Sequence, residues 1–198
     1  MKDNNRIFYI LTPTRGEQWD DGNGGYYKKA IYYCQAWERG EMFGEWKNTK
    51  ITHRYQASIF AILKVIIALA EQEWKGEVVA YIPDELIVRE ANGNQRDKYH
   101  YGEDYKPQPA DRGFKHLSIK DLEDIIQYSS QLQNIWGKWV RLTRWIYLGS
   151  AYKRAKQAGI DLKIKLLSKE NIKIANQAQQ AFFQSPSTPT HVNKEATK

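Results

Sequence analysis

The acidic residues closest to a metal-binding pattern are Glu17, Asp20 and Asp21, just ahead of a glycine-rich segment. Neighbouring carboxylates supply the hard oxygens that Mg2+ or Mn2+ takes. The same Asp20-Asp21-Gly22-Asn23-Gly24 run is also turn chemistry, because Asp and Asn bond local backbone and Gly accepts positive φ. His53, His100, His116 and His191 are scattered, without the spacing to Cys or carboxylates that a zinc site needs. Gly22-Asn23-Gly24-Gly25 lacks the Lys-Ser/Thr ending of a nucleotide phosphate loop. Cys34 is the single cysteine, so no internal disulfide can form, and the reading is a reducing compartment. Its place in a strand pattern favours a small buried hydrophobe over a reactive thiol.

A second set of chemistry-bearing residues is basic and aromatic. Trp136-Gly137-Lys138-Trp139-Val140-Arg141-Leu142-Thr143-Arg144-Trp145 is followed by Lys153, Arg154 and Lys156. Cations position phosphates, and aromatic rings stack on sugars or bases. Lys138, Arg141 and Trp145 fall at helical steps of three and four, so they share a face. Trp139, Leu142 and Ile146 form an apolar stripe, so the segment also reads as core with a solvated cationic side. Tyr99, Tyr101, Tyr105 and Phe114 lie in a long polar stretch and read as anchors for a protein partner, or as loop residues without a role.

These sets sit in a chain of 198 residues with formal charge +7, which favours polyanionic partners or simply solubility. Hydrophobic content of 41% allows an ordinary core. The amino-terminal stretch has no apolar run ending in a small-residue cleavage site. The longest apolar run, 57–70, is interrupted by Lys64 and too short for a bilayer. The expectation is a cytoplasmic, non-secreted protein without membrane contact.

The positioning elements follow from periodicity. Strands are expected over 6–11, 28–38 and 41–49, with Arg39-Gly40 as a tight turn and 12–25 as loop. In the third strand neither face is purely apolar, so alternation leaves the buried side open. Ile59, Ile62, Leu63, Ile66, Leu69 and Ala70 then recur on one helical face, widened by Ala61, Ile67 and Ala68, with Thr52 as N-cap. A buried strand over 77–82 ends at Pro83, and a short helix over 84–91 is capped by Asp84. The segment near 92–115 reads as a Tyr-rich exposed loop. Helix resumes over 117–158, with a Ser118–Asp121 capping box, a break at Asn134 or Gly137, and Gly159 as C′ residue. A strand over 161–167 and a helix over 170–183 follow, then a disordered tail over 184–198.

This order resembles the ribonuclease H-like family over 6–183. The first strand leads to Gly24-Gly25-Tyr26, similar to that family's Gly-Gly-Tyr segment. Thr52-His53-Arg54-Tyr55-Gln56 resembles its Thr-Asn-Asn-Arg-x-Glu helix entry. Tyr81-Ile82-Pro83-Asp84 resembles its Tyr-Ser-Asp strand end, and Asn171-Ile172-Lys173-Ile174-Ala175-Asn176 its last-helix Asn-x-x-Ala-Asp pattern, longer by one. The resemblance implies an α/β fold: a mixed sheet of about five strands, the first three antiparallel, flanked by helices. It implies one domain over 1–183, with a helical basic insertion near 117–158.

Active members of that family cleave RNA in RNA–DNA hybrids with two metal ions held by four carboxylates. Here Thr12, Pro13 and Thr14 stand in the first-strand position, Gln56 replaces the glutamate, Asp84 falls one residue late, and Ala175 or Asn176 occupies the last position. The Lys-Gly-His turn is missing at Leu167-Ser168-Lys169-Glu170. At most one acid survives, too little charge to offset dehydration of two divalent cations. The expectation is a catalytically inactive domain, with no cofactor, that binds nucleic acid. Trp136, Lys138, Trp139, Arg141, Arg144, Trp145, Lys153 and Arg154 would form the interface, and Thr12, Thr14, Gln56, Asp84 and Asn176 the degenerate site. One alternative is a protein-interaction module of a mobile-element, phage or defence system. Another is a Mg2+ or Mn2+ nuclease with displaced acids at Asp20, Asp21 or Asp84.

Overall fold

The computed structural model describes residues 5–12, 14–20, 26–47, 54–93, 112–136, 140–168 and Lys173, with backbone alone for 14–20, 26–32, 47, 54, 136, 140 and 141. Strands β1 (Asn5–Leu11), β2 (Thr14–Asp20), β3 (Tyr26–Glu38) and β4 (Glu41–Lys47) precede helix α1 (Arg54–Glu71). Strand β5 (Gly76–Ile82), helix α2 (Glu85–Asn92), a 3-10 turn (Phe114–His116), helices α3 (Ile119–Trp136) and α4 (Val140–Ala158) and strand β6 (Ile160–Leu166) follow. The sheet order is β2-β3-β1-β5-β6, with β4 also on β3. β1 and β4 run antiparallel to β3, whereas β1, β5 and β6 are mutually parallel neighbours. This is an α/β mixed sheet flanked by helices, laid out as the resemblance implies.

It differs from expectation in one strand. The stretch 12–25 contains β2, paired antiparallel with β3 from Thr14↔Tyr32 to Asp20↔Tyr26. Gly16 and the turn residues after it disguise the strand, but β3 is 13 residues long and offers its first half as a pairing edge. Pairing, a tertiary factor, outweighs weak strand propensity here.

The question left open in β4 also has a physical answer. The register runs Ala36↔Gly44 and then Trp37↔Met42, so a bulge leaves Phe43 extra. Phe43 and Trp46, of opposite parity, therefore both pack on the main core, and Met42 packs on the other side with Tyr9, Leu11 and Trp37. There the Trp37 Nε1–H donates to Gln35 Oε1 at 3.1 Å, and Gln35 Nε2 donates to Glu45 Oε2 at 2.6 Å. Arg39 and Gly40 both have positive φ, 51° and 82°, as the tight hairpin turn requires.

The main core lies between one sheet face and α1 and α4. Phe8 and Ile10 of β1, Val78, Ala80 and Ile82 of β5, and Ile160, Leu162 and Ile164 of β6 supply the sheet side. Ile59, Ile62, Ile66 and Leu69 of α1 are at most 1% exposed, and each such side chain contributes roughly 1.5–3 kcal/mol. The expected N-cap Thr52 lies outside the described residues. α3 packs on the outer side of α4, close enough that a Cβ at Gly149 would lie 3.0 Å from Ile126 Cγ1.

The long helical segment is described as two helices, α3 to Trp136 and α4 from Val140, with the predicted break residue Gly137 outside the described residues, and Gly159 has φ 74° after α4, as predicted. The capping box forms: Asp121 N–H donates to Ser118 Oγ at 3.1 Å, and Ser118 N–H donates to Asp121 Oδ2 at 3.1 Å. Those bonds hold the Asp121 carboxyl below its usual pKa, the Ser118 hydroxyl being the first cause. The Tyr-rich segment 94–111 lies outside the described residues, but its two ends meet. A Cβ on Gly113, whose φ is 77°, would stand 2.5 Å from both Asn92 C and Gly93 N, so only glycine fits. The predicted helix over 170–183, apart from Lys173, and the tail over 184–198 also lie outside the described residues. No helix among the described residues is long and apolar enough to cross a membrane.

Candidate functional site

The parallel strands β1 and β5 end side by side, and carboxyl ends of such strands are where open α/β sheets commonly take ligands. Thr12 is half-buried at the end of β1. Gln56, in the first turn of α1, is 2% exposed, and Asp84, two residues past β5, is 1% exposed. The Ser58 hydroxyl, also fully buried on α1, donates to Asp84 Oδ2. Asp84 occupies the N-cap position of α2, yet its side chain does not cap that helix as expected. The carboxylate turns to Ser58 instead and still profits from the positive end of the α2 dipole. The result is a buried Ser58–Asp84 pair, a carboxylate bonded to a hydroxyl, just past the end of β5. Thr14 begins β2, where backbone alone is described, and Asn176 lies outside the described residues.

The expected basic interface divides. Arg144 is 6% exposed and makes a two-pronged pair with Glu90 of α2, Nε to Oε2 at 2.8 Å and Nη2 to Oε1 at 2.5 Å. Trp145 is 3% exposed and faces the Phe114 ring, with centroids 6.4 Å apart. Neither is presented to a duplex, which corrects both assignments. Helical spacing locates a face but not its neighbour, and the neighbour here is the α2 and 3-10 region. Phe114, expected as an exposed anchor, is fully buried in the same core. Trp136 and Arg141 lie on helices with backbone alone described, and Lys138 and Trp139 lie outside the described residues, as do Tyr99, Tyr101 and Tyr105.

The last turns of α4 keep their cations at the surface. Arg154 and Lys156 are exposed, and Lys153 is half-buried with Nζ 2.8 Å from Glu123 Oε1 of α3. Lys115 and His116 of the 3-10 turn approach the same end of α4, lining with Lys156 a cavity of about 230 Å³ against β6. Sequence reasoning did not place Lys115 and His116 beside α4. The signal available was only their basic type after a loop, and nothing local tells which helix the turn packs on.

Among the described residues, no group of three His, Cys, Asp or Glu could hold a metal ion. Glu17 and Asp20 lie on β2, whose backbone alone is described, and Asp21 is outside the described residues. Cys34 is fully buried, and burial, followed by the Glu45 charge, pushes its thiol up to about 12. No protein-family model, curated protein or solved structure matches this chain.

Proposed function

We propose that this chain is a catalytically silent ribonuclease H-like domain that binds nucleic acid, an RNA–DNA hybrid or structured RNA or DNA, as part of a nucleoprotein assembly. The observation that carries this reading is the buried Ser58–Asp84 pair just past the carboxyl end of β5. Where the resemblance implies clustered acids, the described side chains are Thr12, the Gln56 amide and an Asp84 already bonded to Ser58. Two divalent ions need several anionic oxygens with free lone pairs, and one carboxylate bonded to a hydroxyl is a poor substitute. Binding then rests on charge. Arg154 and Lys156, exposed on the last turns of α4, carry that charge, whereas Lys153 is paired with Glu123 of α3. Their role is to position phosphates, which gives salt-sensitive affinity without base readout.

The test measures binding and cleavage together, on labelled RNA–DNA hybrid, double-stranded RNA, double-stranded DNA and single strands, with Mg2+ or Mn2+, at two salt concentrations. Binding that weakens with salt, without cleavage, supports the reading. Metal-dependent cleavage lost on changing Asp20, Asp21 or Asp84 replaces it with a nuclease of rearranged acids. Absence of binding at low salt rejects it in favour of a protein-interaction module. A specific observation favours that second reading: Tyr128 and Ile135, seven residues apart on α3, are 57% and 75% exposed.

A further inference from the structure

We propose that Asn92-Gly93 is a latent deamidation site, held closed by the fold, whose reaction unfastens α2 from β6. The proposal does not depend on nucleic-acid binding. Deamidation of Asn is fastest before Gly, because a residue without a Cβ lets its backbone nitrogen approach the side-chain carbonyl. Asn-Gly steps occur at Asn23-Gly24, outside the described residues, and at Asn92-Gly93. In the reaction the Gly93 nitrogen gives its proton to solvent base and attacks Asn92 Cγ. The side-chain nitrogen takes a proton from solvent and leaves as ammonia, which closes a succinimide ring. Water then opens the ring at either carbonyl and leaves a carboxylate at position 92, as an aspartyl or an isoaspartyl linkage.

The native contacts oppose ring closure. Asn92 Nδ2 donates to Val88 O at 2.8 Å and to Ile164 O at 3.0 Å, so the amide is tied both to its own helix and to β6. Asn92 is the last residue of α2, and a helical backbone turns the following nitrogen away from Cγ. A Cβ at Gly113 would lie 2.5 Å from both Asn92 C and Gly93 N, so the backbone that must swing has little room. Asn92 and Gly93 are half-buried rather than enclosed, so water and base reach them once this clasp opens.

The same contacts make the product disruptive. An ionised carboxylate has no donor for Val88 O or Ile164 O, so both carbonyls lose their partner and face a negative charge. That charge also stands at the negative end of the α2 dipole. The isoaspartyl form adds a carbon to the main chain between positions 92 and 93, against Gly113. One reacted side chain thus loosens the last turn of α2, its tie to β6 and the junction where the ends of segment 94–111 meet.

The full chain is incubated in mildly alkaline buffer with and without urea, and conversion at Asn92 is followed by peptide mass spectrometry. Conversion of the folded protein is expected to be slower than in urea by at least about tenfold, because ring closure waits for a local opening. Asn23, read in the same urea sample, reports the reactivity of an Asn-Gly step in the unfolded chain. Asn92→Asp installs the product charge, and it is expected to remove hydrogen-exchange protection from the last turn of α2 and from β6 around Ile164, while β1 stays protected. Equal conversion rates with and without urea overturn the proposal, as does unchanged exchange in Asn92→Asp. If Asn92→Asp fails to fold, the ratio of wild-type rates still decides. Duplex binding by the wild type, measured separately, reports on the proposed function and not on this site.

Discussion

Helix α4 carries a cation–aromatic set near each end, and the two have opposite fates. Near its start, Arg144 is locked to Glu90 and Trp145 is packed against Phe114. Near its end, Lys156 is exposed, and Tyr152 is buried with a hydroxyl that finds no partner among the described residues. Similar residue types on one helix thus serve as structure in one place and as a candidate surface in the other. What separates them is the element packed alongside. α2 brings a carboxylate to Arg144, whereas the 3-10 turn brings Lys115 and His116 to the end that already holds Lys156. The lesson is that a basic, aromatic helix cannot be assigned to nucleic acid until its neighbours' charges are known.

The largest expected effect breaks the first set. Glu90→Ala leaves Arg144 buried without its counter-charge and should cost about 3–5 kcal/mol in denaturant unfolding, since an isolated buried charge is strongly unfavourable. Pairing Glu90→Leu with Arg144→Met should recover most of that loss, because apolar groups of similar volume often replace a buried pair without penalty. Lys156→Gln, at the exposed end, should change stability by no more than roughly 0.5 kcal/mol. Equal effects at the two ends would erase the contrast.

The aromatic members come next. Trp145→Ala should cost about 3–5 kcal/mol as a cavity in the main core. Tyr152→Phe should leave stability unchanged or raise it by up to about 1 kcal/mol, because the hydroxyl it removes is buried and has no partner among the described residues. A clear loss with Tyr152→Phe would mean that the hydroxyl is engaged.

Charge readout sharpens the comparison further. Removing Arg154 or Lys156 should lower the slope of log affinity against log salt by roughly 0.9 for each phosphate no longer neutralised. Folded Arg144→Met should leave that slope unchanged, because a guanidinium bound to Glu90 neutralises no phosphate.

The smallest effects are in titration. Cys34, like Tyr152, is a buried weak acid whose pKa is raised by burial. Its folded value of about 12 lies above its ordinary 9.0, so its stabilising contribution is complete below pH 9 and is lost as pH rises towards 12. Native protein at pH 8 should therefore resist a thiol reagent that labels the unfolded chain at once, and alkaline unfolding should begin earlier than in Cys34→Ala corrected for its cavity.

Much of this was legible along the chain. The core face of α1, the Ser118–Asp121 box, Gly159 after α4 and the alternation in β6 are local or periodic, so they depend only on residues within a few positions of one another. Other features depend on pairing between distant segments. β2 exists because β3 is long enough to hold it, and Phe43 and Trp46 share a core because a bulge opposite Trp37 shifts the register. Asp84 abandons its cap because Ser58 arrives from α1. Arg144 and Phe114 are buried because α2 and the 3-10 turn close on α4. Composition and period set which faces are apolar or charged, but burial and charge pairing are decided by contacts across the fold, and the chain order alone does not encode which charged side chain meets which.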